Sequence, residues 1–147
     1  MLNYAQNQYR KTQVATVDRG RLIVLLYEGA VSFLIKAKAC LAEEDIPGCA
    51  SLINRAQDII DELNASLNME LGGEIATNLR RLYLYMGDRL VRAKIRREDA
   101  PLDEVIRILT SLNEAWREAL AKPEAQEVLS RQPVQPVTTQ ARGGVRI

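Results

Sequence analysis

The chain has 147 residues, the length of one ordinary domain, and with 47% hydrophobic residues it can bury a core. Its 20 Lys and Arg against 19 Asp and Glu leave a net charge of +1, without the basic footprint that nucleic-acid binding requires. Histidine is absent. That removes Ser-His and Cys-His nucleophiles, a histidine phosphotransfer bundle and the Glu-x-x-His ligands of di-iron bundles.

Further classes fall on local evidence. Met1 is followed by polar Asn3, Gln6, Asn7 and Gln8 rather than by a secretory leader. The longest apolar run, Leu22 to Tyr27, is far short of the roughly 20 residues of a membrane span. A soluble, cytoplasmic protein without membrane insertion is expected. Cys40 and Cys49 flank a predicted turn, and reduced thiols are expected. Without histidine partners they make a poor metal site. Gly72-Gly73 lacks the lysine and spacing of a phosphate loop. The carboxylates fall on solvated faces. The sequence therefore predicts no enzyme, no cofactor and no small-molecule substrate.

In chain order, residues 1–17 are polar with Tyr4, Tyr9 and Val14 as isolated apolar points. They read either as an arm that folds against a surface or as a disordered end. Helix one is predicted over 18–42 with Asp18 as N-cap, its main stripe being Leu22, Ile23, Leu26, Ala30, Phe33, Leu34, Ala37 and Leu41. Pro47 suits the first turn of helix two, 47–67, whose apolar face is Cys49, Leu52, Ile53, Ala56, Ile59, Ile60 and Leu63. Asp61 and Glu62 sit toward its C-terminal half, the end where the dipole disfavours acids. Asn68 to Gly73 read as a turn, since Asn and Gly readily adopt positive φ. Helix three, 73–97, follows on Ile75, Leu79, Leu82, Met86, Leu90 and Ala93, and ends among Arg92, Lys94, Arg96 and Arg97. Helix four is predicted over 101–121, with Leu102, Val105, Ile106, Ile108, Leu109, Leu112, Ala115, Trp116, Ala119 and Leu120. Residues 122–147 carry Pro123, Pro133, Pro136 and Gly143-Gly144 and read as a mobile tail, with a brief helical turn near Ala125 to Leu129. Long amphipathic helices joined by short turns must run antiparallel. The predicted fold is an all-α, up-down-up-down four-helix bundle over residues 18–121.

Helices one and three carry more apolar residues than a core needs. Projected at about 100° per residue, Val24, Val31 and Ile35 lie well round from the first stripe of helix one. Leu84, Val91 and Ile95 repeat the same seven-then-four spacing opposite the main stripe of helix three. Either these helices are buried on wider arcs or covered by the arm or tail, or the residues form exposed patches that mark a binding site. The natural ligand of such a patch is an amphipathic helix laid in a groove. Tyr83 and Trp116, as single aromatic residues on apolar stripes, read as core before contact.

The stretch Gly72 to Met86, Gly-Gly-Glu-Ile-Ala-x-Asn-Leu-x-x-Leu-Tyr-x-Tyr-Met, resembles the central signature of the flagellin export chaperones, the FliS family. Tyr9, then Leu22-Ile23 with Leu26-Tyr27-Glu28-Gly29-Ala30, Ala56-x-x-Ile59-Ile60, Leu63, Leu67 and Ala115-Trp116 extend the likeness over residues 4–120. Asp18-Arg19-Gly20-Arg21 departs from the Ser-Pro that often precedes the Leu-Ile, and Leu25 stands where Met is common. The resemblance implies a cytoplasmic four-helix bundle that binds the C-terminal segment of flagellin, prevents early polymerisation, and brings the subunit to an export-gate component of the flagellar secretion apparatus. It also implies that the arm around Tyr9 takes part in cargo binding or gate docking. Tyr9, Val24, Val31, Ile35, Ile75, Leu79, Tyr83, Leu84, Val91 and Ile95 are the candidate partner-binding residues. The competing expectation is a helical adaptor or regulator that uses the same grooves for another partner.

Overall fold

The computed structural model describes residues 4–122, with side chains from Arg19 onward. Four helices follow in order: α1 Tyr4–Ala42, α2 Ile46–Ala65, α3 Met69–Arg96 and α4 Asp99–Ala121. Connections of three, three and two residues force neighbours antiparallel. α1 packs on α2 and α4, and α3 packs on the same two, so α1 faces α3 across one diagonal and α2 faces α4 across the other. Among the described residues there is no strand, and no helix is long and apolar enough to cross a membrane. The structure is the expected antiparallel four-helix bundle.

The core follows the 3.6-residue period. Tyr27, Ala30, Leu34 and Ala37 enter from α1, and Cys49, Ile53, Ala56, Ile60 and Leu63 from α2. Tyr83, Met86, Leu90 and Ala93 of α3 close it with Leu102, Val105 and Leu109 of α4. The small residues Ala30, Ala37, Ala56 and Ala93 are almost fully buried, which lets the backbones approach while Leu, Ile and Met fill the space between.

Local signals explain the ends. Asp45 caps α2 by accepting from the Gly48 amide at 3.0 Å, with Pro47 just inside the helix. The acids late in α2 also find a use, since Asp61 accepts a hydrogen bond from Gln57 Nε2 at 2.8 Å. Asn68 caps α3 through the Leu71 amide at 3.0 Å. α3 ends at Arg97, which adopts the left-handed conformation at φ 55°.

Four boundaries differ from expectation; α2 ends at Ala65, two residues early. α1 begins at Tyr4, not at Asp18, so from Tyr4 the expected arm is continuous with the first helix. α4 starts at Asp99, two residues early, because a proline within the first turn forfeits no intrahelical bond. The turn expected over Asn68 to Gly73 is instead a short helical turn starting at Met69, broken at Gly73 (φ 51°, ψ −125°) before α3 resumes. That backbone state is open to glycine and strained for other residues. Gly72 helps set the angle, since a Cβ there would come within 2.6 Å of the Ala76 Cβ.

Some apolar assignments also shift. Leu22 and Ile75, expected on core stripes, are exposed. Tyr27, absent from the expected stripe of α1, is buried. Cys40 and Cys49 are unbonded to each other.

Candidate partner-binding surface

The two surplus stripes meet different fates, decided by how each helix is turned. On α1, Val24 and Val31 are half-buried, Val31 packs against the core cluster, and Ile35 is 55% exposed. Val31 and Ile35 line a groove of about 480 Å³ between α1 and α4. Glu28, Ser32 and Lys36 complete the α1 wall, and Thr110, Asn113, Glu114 and Arg117 form the α4 wall. Arg117 Nη2 donates to Glu28 Oε1 at 2.9 Å and bridges the groove at one end. Asn113 Oδ1 is buried and has no hydrogen-bond partner among the described residues.

On α3 the surplus stripe points away from both neighbours. Leu84, Val91 and Ile95 are 59%, 48% and 73% exposed. Their neighbours on the helix are charged: Arg92 Nε donates to Glu98 at 3.5 Å on one flank, and Lys94 Nζ to Asn54 at 2.7 Å on the other. Toward α4, the Tyr85 hydroxyl donates to Glu104 Oε2 at 2.6 Å, while Arg89 Nε donates to its Oε1. The Tyr85 bond first, and the Arg89 bond with it, hold the Glu104 carboxyl below its ordinary pKa, while the bond to Glu104 raises that of Tyr85.

A third exposed apolar group lies at the end of the bundle where α3 begins. Leu71 and Ile75, either side of the Gly73 break, are 80% and 72% exposed, while Leu79 one turn on is half-buried against the core. At the same end the Trp116 Nε1 donates to the Gly20 carbonyl at 3.0 Å and Leu120 covers Gly20, tying α4 to α1.

The candidate residues thus separate into groups. Val31 and Ile35 share the α1–α4 groove, with Val24 two turns from Val31 on the same stripe. Leu84, Val91 and Ile95 share the outer face of α3, and Ile75 and Leu79 lie at its N-terminal end. Tyr83 is corrected to the core. It is 3% exposed, and its hydroxyl lies 2.5 Å from that of Tyr27, so it offers a partner no surface. Tyr9 falls within α1, but its side chain lies outside those described. The polar groove residues Thr110, Asn113 and Glu114 were missed, because a groove wall recruited from a helix flank leaves no apolar period to read. Among the described residues no group of three or more His, Cys, Asp or Glu side chains could hold a metal.

The sequence of this bundle is similar to those of known proteins. The flagellar secretion chaperone FliS of Salmonella typhimurium is 37% identical over 118 residues, covering 80% of this chain and 87% of that protein. The flagellar secretion chaperone FliSB of Pseudomonas aeruginosa is 39% identical over 116 residues, covering 76% and 92%. That of Bacillus subtilis is 32% identical over 112 residues, covering 76% and 83%. The sequence model of the flagellar protein FliS family matches residues 1–123. The chain belongs to the FliS family of flagellar secretion chaperones.

Proposed function

We propose that this protein is a cytoplasmic, non-enzymatic export chaperone that holds the C-terminal segment of flagellin as helices laid against the bundle, keeps the subunit from polymerising, and hands it to the export gate of the flagellar secretion apparatus. The observation that carries the reading is the placement of apolar side chains left in solvent on separate faces of one bundle. A single short helix cannot cover Ile35 in the α1–α4 groove and Leu84, Val91 and Ile95 on the outer face of α3. A segment that wraps the bundle can, and a chain disordered when free is the kind of ligand that wraps. It loses conformational entropy on ordering, so a large interface gives only moderate affinity per unit area, as delivery and release require.

A calorimetric titration with about the last 40 residues of flagellin from the same organism tests the reading. One-to-one binding with a negative heat-capacity change and a gain of helix by circular dichroism is the expected result. No binding by a folded bundle and a soluble peptide would favour the adaptor reading, in which the same surfaces take another partner's helix.

A further inference from the structure

We propose that residues 124–147, the segment beyond the family match, regulate the groove between α1 and α4 by placing Val128 and Leu129 on Val31 and Ile35. The family model ends at residue 123, so this segment is not part of what the family shares. It is tethered to the same helix that forms one wall of the groove. Lys122, just past the end of α4, is extended (φ −81°, ψ 133°), and Pro123 follows it, so the chain leaves the helix axis there. Asn113 lies nine residues back along α4 from Lys122, about 13 Å. Val128 lies six residues forward, a span of at most about 20 Å. A chain that turned back after Lys122 would therefore have the length to bring Val128 and Leu129, the first branched apolar pair of the segment, to Asn113 and Val31.

The groove asks for such an occupant in two ways. Ile35 keeps more than half its surface in solvent, and Asn113 Oδ1 is buried without a donor among the described residues. A buried acceptor left unpaired costs about 1–3 kcal/mol. Gln126, Ser130 and Gln132 bracket the Val-Leu pair in the sequence and carry side-chain donors. The outer stripe of α3 points away from α4 and is not reached by this path.

The intramolecular contact stands independently of the cargo's identity, whereas its regulatory consequence rests on the chaperone reading. A tethered segment competes at an effective concentration that a free peptide must overcome. The test uses the full-length chain with labelled Ile, Leu and Val methyl groups and no cargo. Nuclear Overhauser cross-peaks from Val128 or Leu129 to Val31 or Ile35 are expected, and they vanish in the Val128→Asp, Leu129→Asp chain. Their absence from a well-dispersed spectrum of the unsubstituted chain overturns the proposal. The flagellin peptide is then titrated into both chains. It should bind the doubly substituted chain about five- to tenfold more tightly, the factor expected if the segment occupies the groove most of the time. Equal affinity overturns the regulatory role, and binding to neither chain fails the chaperone reading while leaving the cross-peaks to decide the contact.

Discussion

The hydroxyls of Tyr27 and Tyr83 meet across the diagonal from α1 to α3, the one polar link among the described core side chains, which are otherwise hydrocarbon and sulfur. Each is the other's partner, so removing one leaves the other buried and unpaired. Tyr27→Phe or Tyr83→Phe alone should cost about 1–2 kcal/mol, measured by urea denaturation. The double Phe chain should lose less than the sum, because no orphaned hydroxyl remains. Burial pushes both phenol pKa values above the ordinary 10, aided at Tyr83 by its neighbour. The unfolded chain therefore releases these protons first as pH rises. The contribution to stability is complete below pH 10 and declines above it, at up to about 1.4 kcal/mol per pH unit for each group. Urea midpoints from pH 9 to about 11 should fall more steeply for the unsubstituted chain than for the double Phe chain. A steeper fall in the double Phe chain would contradict the assignment.

At the scale of elements, α3 is shaped by its break. Gly73 has open space where a Cβ would sit, so only its backbone conformation opposes substitution. Gly73→Ala should cost about 1–3 kcal/mol of strain, or straighten α3 and move Leu71 relative to Ile75. Thermal denaturation and the amide spectrum of residues 69–76 distinguish the two. The cap of α3 is a separate, smaller element. Asn68→Ala forfeits the bond to the Leu71 amide and should cost about 1 kcal/mol without disturbing the rest of the bundle. The outer stripe of α3 behaves in the opposite way. Leu84→Asp and Val91→Asp replace side chains that keep about half or more of their surface in water, so stability should change by no more than about 1 kcal/mol each. Affinity for the flagellin segment should nevertheless fall about tenfold or more, as truncation at an interface centre does. Unchanged binding would remove α3 from the cargo surface.

For the molecule as a whole, the proposed interface is apolar, and the ion pairs around it lie at the rim. Lys38–Asp103 and Arg117–Glu28 are exposed pairs of the kind that contributes little to stability. Cargo affinity should accordingly change by less than about threefold between low and moderate salt. A fall of about a thousandfold, as counterion release produces, would mean that charge holds the complex.

The sequence alone determined the number of helices, their order and the bundle, because an apolar period of three and four leaves no competing structure and the short connections it predicts, of three to five residues, allow only antiparallel neighbours. It also supplied the surplus stripes on α1 and α3, since apolar residues opposite a core stripe stand out on projection. What it could not determine is rotation. Whether Val31 is half-buried and Leu84 free depends on where α4 lies around each helix, a choice made by packing between distant segments and invisible to local period. The same tertiary choice buried Tyr27 and Tyr83 on one diagonal, where each satisfies the other's hydroxyl, and left Leu22 and Ile75 outside the core. It also assembled the α1–α4 groove from Glu28, Val31 and Ile35 on one helix and Asn113 and Arg117 on another, more than seventy residues apart in the chain. Periodicity is local and was legible; the grooves arise from contacts between helices and exist only once the four are packed.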